Sequence, residues 1–446
     1  MTDTDRKETS ADCLEFDLQP GFCIYLRGPG HLIVTAGTAN LFGFDLAVSK
    51  GIRLYEQAVY PLETSDGASL EYTTASSGHV VHRGSAVPQN WKETARAIPQ
   101  EPIGQKILVI GAVDCGKSSL ITYLANVLLE KLGEPIAIID TDVGQSKIGP
   151  PGTLGLGLVC EQFVHLEEIQ SESIYFVGEK SPRGNLLPIV LGLNSLIYIA
   201  QAKRARAILI DTSGFVYGPA ATTLKTAKIE LVKPHWIIGL QRKDEIEHLL
   251  AISHSVSQIV RCEVPQRLMP LSREDRIARR MRTWQSLSFL SCYNFPFEMY
   301  GLLGSPFNSF ESKETALFMQ LEEILGPCFV SRSSDRISVL FKDEFKSEFP
   351  IDDIRPIAEQ YRSAIAGFPL GFFLHHYVGL LNESFETIGL GFIRGIDFAK
   401  RSIVIETTLP ESSLEAINMV KLGRLRVDNN GKELAACRPF LVDPIA

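Results

Sequence analysis

The chain has 446 residues, with 44 basic and 52 acidic side chains and a formal charge of −8. At 45% hydrophobic and 22% charged its composition is that of a globular protein, which excludes a disordered chain, a collagen and a coiled coil. At ~150 residues per domain the length suggests about three domains.

Residues 1–12 read as a disordered tail. They are polar and acidic, with no apolar core of a signal peptide, and no apolar run approaches the ~20 residues that span a bilayer. A soluble, cytosolic protein without a membrane partner is expected. The acidic balance gives no global pull on nucleic acid, so such binding would need a local basic patch. The eight cysteines, at 13, 23, 115, 160, 262, 292, 328 and 437, form no CxxC pair, which argues against a zinc site and a disulfide scaffold.

Short alternating runs at 22–26, 31–36 and 51–56, punctuated by Gly, Pro, Ser and Asp, predict a small antiparallel β domain over 13–100. Its last stretch, Pro88 to Gly104, reads as a polar linker with a short helix. From about 101 to 295 buried strands at 106–110, 135–140, 174–178, 207–211, 236–240 and 257–262 alternate with helical patterns. That grammar predicts an α/β core with a mostly parallel sheet covered on both faces. Runs such as 336–341, 376–381, 387–397 and 402–409 predict a β-rich C-terminal domain over 296–446.

Gly111-Ala112-Val113-Asp114-Cys115-Gly116-Lys117-Ser118 matches G-x-x-x-x-G-K-[ST], between a buried strand and an amphipathic helix. Backbone N–H groups of such a loop wrap phosphates and the helix N-terminus adds a favourable dipole. Lys117 would neutralise phosphate charge, Ser118 would ligate Mg²⁺, and Ser119 could assist. The alternative is a structural glycine turn. Cys115 sits where a lysine and a helix N-terminus favour a thiolate reactive towards alkylating reagents; equally, its side chain could point into the sheet–helix packing.

The next strand ends Asp140-Thr141-Asp142-Val143-Gly144-Gln145. Carboxylates at i and i+2 on an extended segment point the same way. One can serve the metal, for which Asp140 is the candidate, while the other, Asp142, takes a proton from an acceptor hydroxyl; the reverse assignment stays open. A third strand ends Asp211-Thr212-Ser213-Gly214-Phe215, and the three ends converge on one crevice. Phe215 is either a packing residue or a base-stacking platform at its rim.

Seven arginines, 261, 267, 273, 276, 279, 280 and 282, give residues 261–282 a net charge of +4. A helix over 272–284 would place 276, 279, 280 and 283 on one face. This is either a solvated face or an arginine lid that stabilises transition-state charge and grips an acidic substrate.

GAVDCGKSS, DTDVGQSKIGPPG (140–152), YFVGEKSPRGNLL (175–187), DTSGF (211–215) and the arginine helix together resemble the polynucleotide 5′-hydroxyl kinase family. That family includes the RNA kinase subunit of the pre-mRNA cleavage complex, the nucleolar pre-ribosomal RNA kinases and archaeal relatives. The resemblance extends to 21–43 and 378–397, nearly the whole chain. It implies phosphorylation of a 5′-hydroxyl on RNA, with DNA as an open alternative acceptor, using ATP and Mg²⁺. It also implies that Asp140 and Asp142 match the carboxylate positions and that the segment around Gln145 clasps the substrate end. Arg276 and Arg280 would be lid arginines, with Arg279 and Arg282 as further candidates. Where the cleavage-complex members have a base-stacking tryptophan, this chain has Phe215. A cytoplasmic location follows for a prokaryotic source and a nuclear or nucleolar one for a eukaryotic source. A non-enzymatic ATP-bound scaffold in an RNA-processing complex and a small-molecule kinase or switch NTPase are the competing readings.

Overall fold

A computed structural model describes residues 12–444 apart from 57, 75–78, 252–256, 266–270, 298, 308–314, 335 and 343–348. The expected tail thus lies outside the described residues, except that Asp12 already opens a strand, Asp12–Leu18. The chain divides into two compact units. The first comprises 1–149, 154–173 and 181–278; the second comprises 150–153, 174–180 and 279–446. Among the described residues no helix is long and apolar enough to cross a membrane.

In the first unit, alternation drives the N-terminal part. Gly51–Leu54 buries every second residue, and so does Ala68–Thr74. Such strands fold into two antiparallel sheets, of four and five strands, that share a core including Leu26, Leu32, Leu62, Leu70 and Tyr72. The stretch expected as a linker is more than that. Helix α1 (Gln89–Ala97) buries Trp91, Thr94 and Ala95, and Trp91 joins the same apolar cluster as the P-loop helix. The expected short helix is present, and apart from buried Thr94 its polar residues lie towards the outer face of an amphipathic helix.

The core sheet has seven strands in the order Ser171–Phe176, Thr153–Val159, Ile136–Thr141, Ala207–Thr212, Gln105–Gly111, Trp236–Gln241 and Gln258–Glu263. The last five pair in parallel, and Thr153–Val159 joins antiparallel to Ile136–Thr141. That strand, TLGLGLV, was not foreseen, because its glycines mask an apolar run. Gly155 and Gly157 are there for space: a Cβ on Gly155 would collide with the Ile148 carbonyl, and one on Gly157 with Ile169. The helices are α2 (Lys117–Leu132), α3 (Leu186–Ala202), α4 (Pro219–Val232), α5 (Glu247–Leu250) and α6 (Arg273–Ser286). Gly133 closes α2 at φ 80°, the left-handed stop that glycine permits.

In the second unit a six-stranded sheet runs Ser291–Pro296, Ser402–Thr407, Thr387–Asp397, His376–Leu381, Met419–Arg426 and Gly301–Leu303. Ser291–Pro296 therefore pairs with Ser402–Thr407, although the sequence grouped it with the α/β core ending at 295. A four-stranded sheet, two longer helices, Ala316–Leu325 and Ile351–Tyr361, and a single helical turn, Leu370–Phe373, also belong to this unit. The two helices were not expected in a β-rich domain.

Candidate active site

The register of two parallel strands builds the acidic half of the site. Asp140 pairs with Asp211 and Thr141 with Thr212 across neighbouring strands. Side-chain rungs lock these ends: Thr141 Oγ1 donates to the Asp211 carbonyl and Thr212 Oγ1 to the Val109 carbonyl, both at 2.7 Å.

The three carboxylates differ in surroundings. Asp140 is buried and accepts backbone N–H groups of Asp142 and Lys147 at 2.9 and 2.6 Å. Burial, then the charges of Asp211 and Asp142, push its carboxyl up to about 7 against those hydrogen bonds. Asp142 is only partly buried. Its Oδ1 accepts from the N–H groups of Gly144 and Gln145, while Oδ2 has no hydrogen-bond partner among the described residues. Asp211 accepts the Ser118 hydroxyl on Oδ2 at 2.8 Å, and its Oδ1 is buried without a partner. Gln145 Oε1 and Ser213 Oγ are likewise buried without partners.

The P-loop follows the strand Gln105–Gly111. A Cβ on Gly111 would lie 2.5 Å from Cys115 Sγ, and Gly116 adopts φ 92°, so both glycines are obligatory. Among the described residues no side chain caps α2, leaving its first-turn N–H groups for a ligand. Ala112 is buried and Val113 exposed in the loop, while Ser118 and Ser119 lie half-buried in the first turn of α2. Lys117 is nearly buried and donates to the Ala112 carbonyl at 2.7 Å. Cys115 is fully buried within the apolar cluster, and burial pushes its thiol up despite Lys117 nearby. The expectation of an accessible thiolate is thereby corrected: packing decides its orientation, and a buried thiolate is disfavoured.

Asp114 has φ 54° and joins two arginines. Its carbonyl accepts from Arg242 at 2.9 Å and its carboxylate from Arg276 at 2.5 Å. Arg276 is thus tied to the phosphate loop. Arg280 is instead committed to Glu433, which also binds Lys180. Thr283 Oγ1 donates to the Arg279 carbonyl, and Arg282 is exposed. Arg261 makes a bidentate pair with Glu247, and Arg267 lies outside the described residues. The turn before Phe215 presses on the P-loop, since a Cβ on Gly214 would lie 2.7 Å from Val113 N. Phe215 is half-buried, with the Arg183 guanidinium 5.7 Å from its ring centroid.

Sequence reasoning missed several contributors. Asp211 was visible only as a strand end. Arg183 and Lys147, whose amine bonds the Ser118 hydroxyl, carried no signal of their own. Lys225 and Lys228 were detectable, because both fall on the apolar stripe of α4.

A P-loop, an acidic pair on adjacent parallel strands and an arginine at the loop define a P-loop nucleotide-binding protein of the α/β class. Residues 111–287 match the mRNA cleavage and polyadenylation factor CLP1 P-loop family. The chain is 31% identical over 357 residues to the polyribonucleotide 5′-hydroxyl-kinase of Methanocaldococcus jannaschii, covering 78% of this chain and 94% of that protein. It is 32% identical over 352 residues to the Pyrococcus furiosus enzyme of that name, covering 78% and 95%. A solved structure of Clp1p with Pcf11p shares the fold at TM-score 0.62 and 11% identity, over 93% of this chain and 99% of that one. The chain belongs to the polyribonucleotide 5′-hydroxyl-kinase family.

Proposed function

We propose that the protein transfers the γ-phosphate of ATP to the 5′-hydroxyl of RNA. The observation that carries this reading is Asp142 Oδ2, unengaged among the described residues, just past the strand Ile136–Thr141 of the sheet that also holds the P-loop strand. The bond from the γ-phosphorus to the β–γ bridging oxygen breaks, the 5′-oxygen–phosphorus bond forms, and the 5′-hydroxyl proton passes to Asp142. ADP and a 5′-phosphorylated strand result. Positioning and charge stabilisation supply most of the acceleration in such transfers. Lys117 exchanges the Ala112 carbonyl for phosphate oxygens, and Arg276 is placed to neutralise charge that develops on them. Gln145 offers its unpartnered Oε1 to the acceptor end, and Phe215 offers a ring face to its terminal base.

Ser118, Asp211 and Asp140 form an all-oxygen donor set that fits Mg²⁺, with Asp211 Oδ1 lacking any other partner. Among the described residues no cluster of three His, Cys, Asp or Glu side chains would hold a metal alone. Mg²⁺ at phosphoryl-transfer sites is commonly held by one or two carboxylates and the substrate phosphates. When bound, Mg²⁺ neutralises phosphate charge.

The test is incubation with labelled ATP and 5′-hydroxyl RNA or DNA oligonucleotides, single- and double-stranded. Transfer to RNA that Lys117→Ala abolishes is expected. Tight ATP binding with no transfer to any strand would return the protein to the scaffold reading; transfer to DNA alone would reverse the acceptor.

A further inference from the structure

Helix α4 buries Ala221, Leu224, Lys225, Lys228, Ile229 and Val232, so two lysines occupy a stripe that the helical period reserves for apolar side chains. Both are fully buried. A buried amine is costly to keep where a methionine of similar volume would pack. Both amines point to the same place. Lys228 Nζ donates to Thr141 Oγ1 at 2.6 Å, and that oxygen's own proton goes to the Asp211 carbonyl. Lys225 Nζ donates to the Ser213 carbonyl at 2.7 Å. One amine thus grips the residue between Asp140 and Asp142, and the other grips the turn two residues past Asp211.

We propose that Lys225 and Lys228 are positioning residues for phosphoryl transfer: by holding Thr141 and Ser213 they fix the spacing of the two acidic strand ends against the P-loop. They act through the residues they hold. The acidic groups that face them are Asp140, Asp142 and Asp211, and Lys117 is a further cation near Lys225. Helix α3, packed beside α4, brings no charged side chain. Burial lowers both amines, Lys228 to about 8, and the neighbouring carboxylates oppose the fall. The same helix face with leucines would pack as well but would leave the ends of two strands held only by their own rungs.

The inference rests on the kinase reading, and its test uses the full chain with ATP and a 5′-hydroxyl oligoribonucleotide. Lys225→Met and Lys228→Met should each lower kcat about tenfold to a hundredfold, the range a misplaced catalytic group costs. KM for ATP should stay within about threefold, the pattern of a contact that matters in the transition state. The melting temperature should hold or rise. Thr141→Val removes the oxygen that Lys228 grips and should show the same split with both lysines present, while Thr141→Ser keeps that oxygen and should stay active. This second pair decides the matter if the methionine variants fail to fold. Folded methionine variants with parental kcat, or Thr141→Val as active as Thr141→Ser, overturn the inference alone. A parent chain inactive on every strand overturns the kinase reading and this inference with it.

Discussion

Asp140 and Asp142 are separated by one residue yet have different freedom. Asp140 spends both oxygens on backbone N–H groups and is buried, whereas Asp142 keeps Oδ2 unengaged. A base must be within reach of the proton it takes. Asp142→Asn should therefore cut turnover severely while ATP affinity changes little, as measured by steady-state kinetics and nucleotide titration. Near-normal turnover in Asp142→Asn with loss in Asp140→Asn would reverse the two roles. Phe215 is absent from the buried cores, so Phe215→Ala should leave the melting temperature almost unchanged. Oligonucleotide affinity should fall by about 1–3 kcal/mol, the usual worth of a base–aromatic stack. A protein that merely melts earlier, with unchanged oligonucleotide affinity, would return Phe215 to packing. Cys115 makes the opposite case. In the native protein alkylation should mark Cys13, Cys160, Cys292 and Cys437, which are exposed, and spare Cys115 until denaturant is added. Mass mapping that finds native Cys115 labelled, with ATP protecting it, would contradict the buried position.

At the scale of elements, α6 shows what the arginine run does. Its earlier part places Arg276 on Asp114, and in the second unit Arg280 bonds Glu433. Burial alone would raise the Glu433 carboxyl, but hydrogen bonds from Arg280 and Lys180 hold it below its ordinary 4.5. A carboxylate depressed in the folded state stays ionised after the unfolded chain has taken up its proton. Its contribution is complete above about pH 4.5 and is lost as pH falls through the lower folded value. The melting temperature of Glu433→Gln should thus trail the parent at pH 7, with the gap closing under strong acid. A gap that stays constant on acidification would show that the ion pair contributes nothing. The run itself was legible as a helix because 272–284 has the right residues and period. Its division of labour was not, because partners such as Asp114 and Glu433 lie 162 and 153 residues away in sequence.

At the scale of the whole molecule, legibility followed locality. The P-loop, its flanking strand and helix and the DTDVGQ strand end are contiguous segments, and motif and period together identified them. Pairing between distant segments left weaker traces. The register that sets Asp140 against Asp211, and the burial of Lys225 and Lys228, arise only when separate stretches meet. The strand Thr153–Val159 hid for a related reason: there the absence of side chains is what lets a neighbouring backbone approach.

Helix α1 carries a consequence for how the chain can be cut. Trp91 is fully buried, donates its indole N–H to the Glu263 carbonyl at 3.0 Å and lies with Leu120, Leu124 and Leu128 of α2 in one apolar cluster. Removing a core tryptophan costs roughly 3–5 kcal/mol, against a total stability of about 5–15 kcal/mol for a typical domain. A catalytic fragment begun at residue 101 would keep every phosphate-binding residue and still lack part of the wall behind them. Begun at 85, it would keep that wall. The two fragments, expressed side by side, should differ in soluble yield and in cooperative melting. Equal melting of both would show that the helix is dispensable to the core it is packed against.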